Sequence, residues 1–227
     1  RLNKICSQYA FIGGGICNHA SGSYSTVSGG YGNIASGVCS AVGGGCGNTS
    51  SGNCSAIGAG CGNTASQRAA VVAGGKGNTA SNCYVAVGGG CSNIASGKNS
   101  TIAGGENNLA SGTCTFIGGG RNHTGSAGNA TIAGGFGHKA TNNGSFIGGG
   151  TTHTTSGQYS TISGGYNNLA SGSTSTVSGG YVNKTCGVQS FIGGGGQNCI
   201  TSVGETSAIL AGQNNCINHA KSFIIGS

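Results

Sequence analysis

A β-branched residue returns along this chain with a period of fifteen: Ile12, Val27, Val42, Ile57, Val72, Val87, Ile102, Ile117, Ile132, Ile147, Ile162, Val177 and Ile192. Each lies nine residues after an Asn or His, which we number position 1 of the period. Those starts run from Asn3 through Asn18 and Asn33 to Asn108, then His123, His138 and His153, then Asn168, Asn183 and Asn198. A single step of 17 leads to the last start, Asn215. Position 8 is small and usually Ser, as in Ser25, Ser40 and Ser100. Positions 8 and 10 share a face only under the two-residue period of a strand, which predicts a strand over positions 8–11 with its β-branched side chain inward. Positions 12 and 13 are Gly-Gly almost throughout, with Ala59 standing in at position 12. Position 5 is mostly Gly, replaced by Asn82 and Asn142. Gly and Asn tolerate φ > 0, so both sites read as tight corners. Between them, around Asn-x-Ala, lies a second short extended piece.

A fixed short period marks a solenoid. The expected fold is all-β, a parallel β-solenoid of fifteen rungs of about 15 residues. It forms one domain over residues 1–227, with a slightly irregular rung at 198–214. In-register stacking at ~4.8 Å turns position 1 into a ladder of like side chains. Its Asn members are Asn18, Asn33, Asn48, Asn63, Asn78, Asn93, Asn108, Asn168 and Asn183, whose amides can bond along the stack.

Composition narrows the class. The 52 Gly with no Pro do not fall at every third position, which excludes collagen. The net charge of +7 is scattered rather than gathered into a stripe, so no nucleic-acid partner is expected. No apolar run approaches the ~18 residues of a membrane span. Twelve Cys without a C-x-x-C pair point to an oxidising compartment. Seven N-x-S/T sequons, at Asn48, Asn53, Asn99, Asn122, Asn129, Asn143 and Asn183, are glycosylation candidates.

Candidate chemistry is sparse. The chain has no Asp, and its two carboxylates, Glu106 and Glu205, lie more than six rungs apart. No acid–base pair or catalytic triad can be assembled, so no enzyme activity and no cofactor is expected. Stacked cysteines sit within reach of a disulfide at one rung spacing: Cys39 with Cys54, Cys46 with Cys61, and Cys199 with Cys216. A column of free thiols is the alternative. His123, His138 and His153 occupy position 1 in consecutive rungs. Three imidazoles could hold Zn²⁺ or Cu²⁺, but nothing completes a site, and we read them as ladder members without metal.

The phrase Ala-Ser-Gly-x-x-Ser-x-Ile/Val-x-Gly, at Ala35–Gly44, Ala95–Gly104 and Ala170–Gly179, resembles the head repeats of YadA-type trimeric autotransporter adhesins. It also resembles Gly/Asn/Ser repeat segments in fibre proteins of large viruses. The resemblance implies a left-handed parallel β-roll, trimeric association, and an extracellular, cell-surface or virion-surface place. Position 9 points away from the core and is never charged. Phe11, Phe116, Phe146, Phe191 and Phe223 alternate there with Thr, Ala or Val, which suits self-association. The expected function is a structural fibre subunit whose partner is itself, as a trimer or a head-to-tail filament. The alternatives are an adhesin head for host or matrix surfaces and an ice-binding protein. Phe at position 9 argues against the last. The filament rests on the ends: Arg1 falls at position 14 and Ser227 at position 13, so a second copy would resume the pattern. The start at Arg1, without Met, suggests a processed chain or a fragment.

Overall fold

The computed structural model describes residues 2–226. Arg1 and Ser227, on which head-to-tail stacking turns, lie outside the described residues. The described chain is all-β, and each copy of the repeat folds as one rung carrying two strands of two residues. The first strand takes positions 2–3, as in Ile34–Ala35, and the second takes positions 9–10, as in Ala41–Val42. First strands pair only with first strands and second with second, fifteen of each. The strands pair parallel and in register, for example Thr26↔Ala41 and Ile34↔Thr49. Position 14 adds a third line of contact as isolated bridges such as Tyr31↔Cys46 and Cys46↔Cys61. The protein is a parallel β-solenoid.

Two compact units make up the chain, Arg1–Cys114 and Thr115–Ser227. In the first, the first-strand sheet runs from Lys4–Ile5 to Leu109–Ala110 and the second-strand sheet from Phe11–Ile12 to Thr101–Ile102. In the second, the corresponding sheets run from Thr124–Gly125 to Cys216–Ile217 and from Phe116–Ile117 to Phe223–Ile224.

Between the two terminal rungs, the buried side chains of a rung are those at positions 1, 3, 8 and 10. In the rung from Asn33 these are Asn33, Ala35, Ser40 and Val42, all at most 1% exposed. So thin an interior leaves cohesion mainly to rung-to-rung hydrogen bonds. Backbone N–H groups at positions 2, 4, 9, 11 and 14 donate to the next rung, as in Ile34 to Asn48 at 2.8 Å and Thr26 to Ser40 at 2.9 Å. Positions 7 and 15 donate backward instead, as in Cys39 to Ser23 and Gly47 to Tyr31, both 2.9 Å.

Those reversals explain the corners. Positions 7, 13 and 15 are left-handed, with φ of +56° at Cys39, +90° at Gly45 and +63° at Gly47. At position 13, Gly is required twice over, because a Cβ on Gly45 would also stand 2.0 Å from the carbonyl oxygen of Gly60. Position 5 corrects the expectation of φ > 0: Gly37 is not left-handed, and a Cβ there would lie 2.1 Å from the carbonyl oxygen of Gly52. Close approach of the next rung, rather than a turn angle, selects Gly. Asn82 and Asn142 answer the same crowding by donating Nδ2 to the next rung's Ser96 and Ser156 carbonyls at 2.9 Å.

The irregular rung absorbs its two extra residues in one corner. Gly204 N–H closes a turn onto Thr201 at 3.0 Å, and Val203 is left exposed. Thr206 then restores the pattern, left-handed and donating backward to Val188 at 2.9 Å.

Candidate functional site

The buried ladder at position 1 is the most organised polar feature. Asn33 Oδ1 accepts the backbone N–H of Asn48 at 3.0 Å. Its Nδ2 donates to the carbonyls of Gly29 in its own corner and Gly45 in the next, at 3.0 and 2.9 Å. The same three bonds recur at Asn18, Asn63, Asn78 and Asn183. Most of the ladder's bonds therefore run from side chain to backbone. Amide-to-amide contacts join them in places, as from Asn48 to Asn33 at 3.2 Å and from Asn198 to Asn183 at 3.1 Å. Each Asn ties the position-12/13 corner to its neighbours, giving the position-12 carbonyl a partner and the position-13 carbonyl a second one beside the N–H of position 14.

His123, His138 and His153 keep half of that pattern. Nδ1 takes the place of Oδ1 and accepts the next rung's backbone N–H: His138 to His123 at 3.1 Å, His153 to His138 at 3.1 Å, and Asn168 to His153 at 3.0 Å. The rings stack with centroids 4.8 and 4.9 Å apart. At His138 and His153, Nε2 meets no acceptor in hydrogen-bond geometry, although it faces the corner carbonyls. Burial lowers the pKa of all three. His138 falls to about 4, through burial first and then through the imidazoles above and below it. Among the described residues there is no group of three His, Cys, Asp or Glu side chains placed to hold a metal, and no pocket.

The outward face of the second strands carries the position-9 side chains. Phe11, Phe116, Phe146 and Phe223 are 39–61% exposed, and Phe191 is half-buried. The rings of Phe11, Phe116, Phe146 and Phe191 lie along the strand over the Gly two residues on. A Cβ at Gly13, Gly118, Gly148 or Gly193 would come within 3.3–3.5 Å of the ring. That pairing stands in the recurrent Phe-Ile-Gly and is legible in hindsight. Other aromatic residues form outward stacks: Tyr9 with Tyr24 at 5.0 Å and Tyr166 with Tyr181 at 5.4 Å. Arg121 lies over Phe136 at 5.0 Å.

All twelve cysteines are free thiols. Cys199 and Cys216 are register partners, and Cys46 and Cys61 share a bridge, while Cys39 and Cys54 stand at the same corner of adjacent rungs. Burial, followed by the thiols of Cys216 and Cys186, raises the pKa of Cys199. Of the sequon asparagines, Asn53, Asn99, Asn122, Asn129 and Asn143 are exposed. Asn48 and Asn183 are buried ladder members whose Nδ2 groups are committed to corner carbonyls. A glycan on either requires its rung to be open.

Three stretches match the Ubiquitous surface protein adhesin repeat. They are residues 25–37, 100–112 and 160–172, and each runs from position 8 of one rung to position 5 of the next. In the first, the adhesin repeat takes in Ser25, Val27, Gly30, Asn33, Ala35 and Gly37, which are the inward or sterically confined positions. The match thus falls on residues that make the rung. A search of curated proteins found no match. Together with the parallel solenoid, the adhesin repeats bear out the resemblance to autotransporter-adhesin heads.

Proposed function

We propose that this chain is a non-enzymatic, surface-exposed fibre segment that self-associates through the second-strand face. The observation that carries the reading is a row of uncharged, partly exposed position-9 side chains, with Phe116 42% and Phe146 39% exposed on otherwise regular rungs. A sheet face with aromatic rings laid along its strands offers apolar area to a second copy at about 25 cal/mol per Å² buried. The adhesin-repeat matches support an extracellular or cell-surface place and, by analogy with the family, a trimer. Adhesion to a host or matrix surface is the second reading, and the same matches favour it.

Phe116→Asp with Phe146→Asp tests the interface. A charge on a buried shared face has no partner, so the particle mass by light scattering should fall to that of the single chain. The circular dichroism of the rung should persist, because position 9 lies outside the core. An unchanged mass would remove position 9 as the interface.

A further inference from the structure

We infer that His123, His138 and His153 form an acid-sensitive segment of the second unit, in which protonation at Nδ1 removes the hydrogen bonds joining these rungs and opens them while the Asn rungs stay closed. In each neutral ring, Nδ1 accepts a backbone N–H at 3.0–3.1 Å, so the ring's own proton sits on Nε2. The second proton must therefore arrive at Nδ1, on the atom that makes the rung-to-rung bond. Nδ1 then becomes a donor facing a donor. An Asn at this position has no such state, because its Oδ1 stays an acceptor at every physiological pH.

Among the described residues, no carboxylate stands beside these rings to balance the new charge. The rings are at most 1% exposed and stacked 4.8–4.9 Å apart, so each imidazolium repels the next. The interior side chains of these rungs, Ala130, Ile132, Ala140, Ser145, Ile147 and Thr155, carry no charge. The neighbouring cations Arg121 and Lys139 are exposed, and Arg121 is engaged with Phe136. The charged groups that act on His138 are His123 and His153 themselves. Backbone groups of the glycine corners, and of Asn168 at His153, favour the protonated ring, and burial outweighs them.

The sign follows from linkage. The folded pKa values lie below the ordinary value of 6.5, so the open segment binds protons more readily than the closed one. Stability contributed by the neutral rings is complete above about pH 6.5 and is lost as pH falls toward the folded values, about 4 for His138. For that ring alone, closure weakens about tenfold per pH unit, or roughly 300-fold across the window.

Amide hydrogen exchange on the full chain, corrected for intrinsic rates, tests this between pH 7 and pH 4. Protection of the His138, His153 and Asn168 amides should drop by up to ~300-fold, while that of Asn63 and Asn78 stays level. The triple variant H123N/H138N/H153N should lose the drop. Level protection in the native chain, or an equal drop in the variant, would overturn the inference. If the variant does not fold, imidazole titration of the native chain by NMR decides: depressed values uphold the inference, and three ordinary values near 6.5 end it.

Discussion

The two units repeat one rung and clothe it differently. In Arg1–Cys114 the ladder is Asn throughout, and position 9 holds small residues over four successive rungs, Ala41, Ala56, Val71 and Ala86. Position 15 there is Gly in four successive rungs, Gly32, Gly47, Gly62 and Gly77. In Thr115–Ser227 three ladder places are His, position 9 carries Phe116, Phe146, Phe191 and Phe223, and position 15 includes Thr152 and Val182. The strands, their register and the buried set at positions 3, 8 and 10 are alike in both. Backbone spacing between rungs therefore fixes some positions and leaves others open. The open ones are where the units diverge, and any distinct property of either unit has to be sought there.

The largest expected difference lies in the ladder. Asn63→Ala in the first unit would leave the carbonyls of Ala59 and Gly75 and the N–H of Asn78 without the side-chain partners they now have at 2.9–3.1 Å. The Gly75 carbonyl keeps the N–H of Cys61 at 2.9 Å and Ala59 is exposed, so the stranded group is the buried Asn78 N–H, at about 1–3 kcal/mol. With two further bonds lost at ~1 kcal/mol each, a loss of roughly 3–5 kcal/mol is expected from urea unfolding. His138→Asn in the second unit should act oppositely at pH 7. Its Oδ1 keeps the bond to His153 N–H, and its Nδ2 reaches corner carbonyls that the imidazole Nε2 does not bond, for a gain of about 1 kcal/mol. Equal and small effects of the two changes would mean that the ladder contributes little to either unit.

Crowding at position 5 ranks next. Gly37→Ala places a methyl 2.1 Å from the Gly52 carbonyl oxygen, and the obstacle is backbone that cannot turn aside. A cost of about 2–3 kcal/mol is expected. Gly44→Ala, at position 12 of the same rung, meets nothing within 4 Å, and Ala59 and Ala211 already occupy that position. It should be neutral, or stabilising by up to ~1 kcal/mol through the unfolded chain. Thermal melts of the two variants separate close approach from glycine content as the reason for conserving rung spacing.

Most of the architecture was legible because its determinants are periodic and local. Val27 and Val42 announce the inward face, Gly29-Gly30 the corner, and Asn18 and Asn33 the ladder. The parallel register then follows from the constant period. Two features were not legible. The left-handed corner at position 7 carries Asn99, Asn129 and Gly144, which suit it, but in other rungs Tyr24, Cys39, Cys54, Thr174 and Lys221, with φ between +53° and +61°, residue types that do not signal that conformation. It is imposed by the reversed N–H, which bonds the preceding rung. The second feature is the reason for Gly at position 5. A residue can be confined by its own turn angle or by a neighbour fifteen residues away, and composition shows both as the same Gly. At the candidate site, sequence located Phe116 and His138 on the correct face but gave no sign that the ring lies on Gly118 or which nitrogen of the imidazole is engaged.

The smallest expected effect isolates conformational strain at position 15. Val182 is a β-branched residue held at φ +53°, where its N–H donates backward to Tyr166 at 2.9 Å. Left-handed backbone costs an L-residue about 1–2 kcal/mol, and branching at Cβ makes it worse. Gly at this place is free of that cost but loses about 0.5–1 kcal/mol more chain entropy on folding. Val182→Gly should therefore stabilise the second unit by a net ~0.5–1 kcal/mol. The reverse change belongs in the first unit at Gly62, whose φ is +65° and whose missing Cβ would meet nothing within 4 Å. Space is not limiting there, so Gly62→Val should cost about 1 kcal/mol through φ alone. Urea midpoints moving in opposite directions would assign this part of the difference between the units to backbone strain. Midpoints that move together would assign it to side-chain packing around the corner, since strain requires opposite signs.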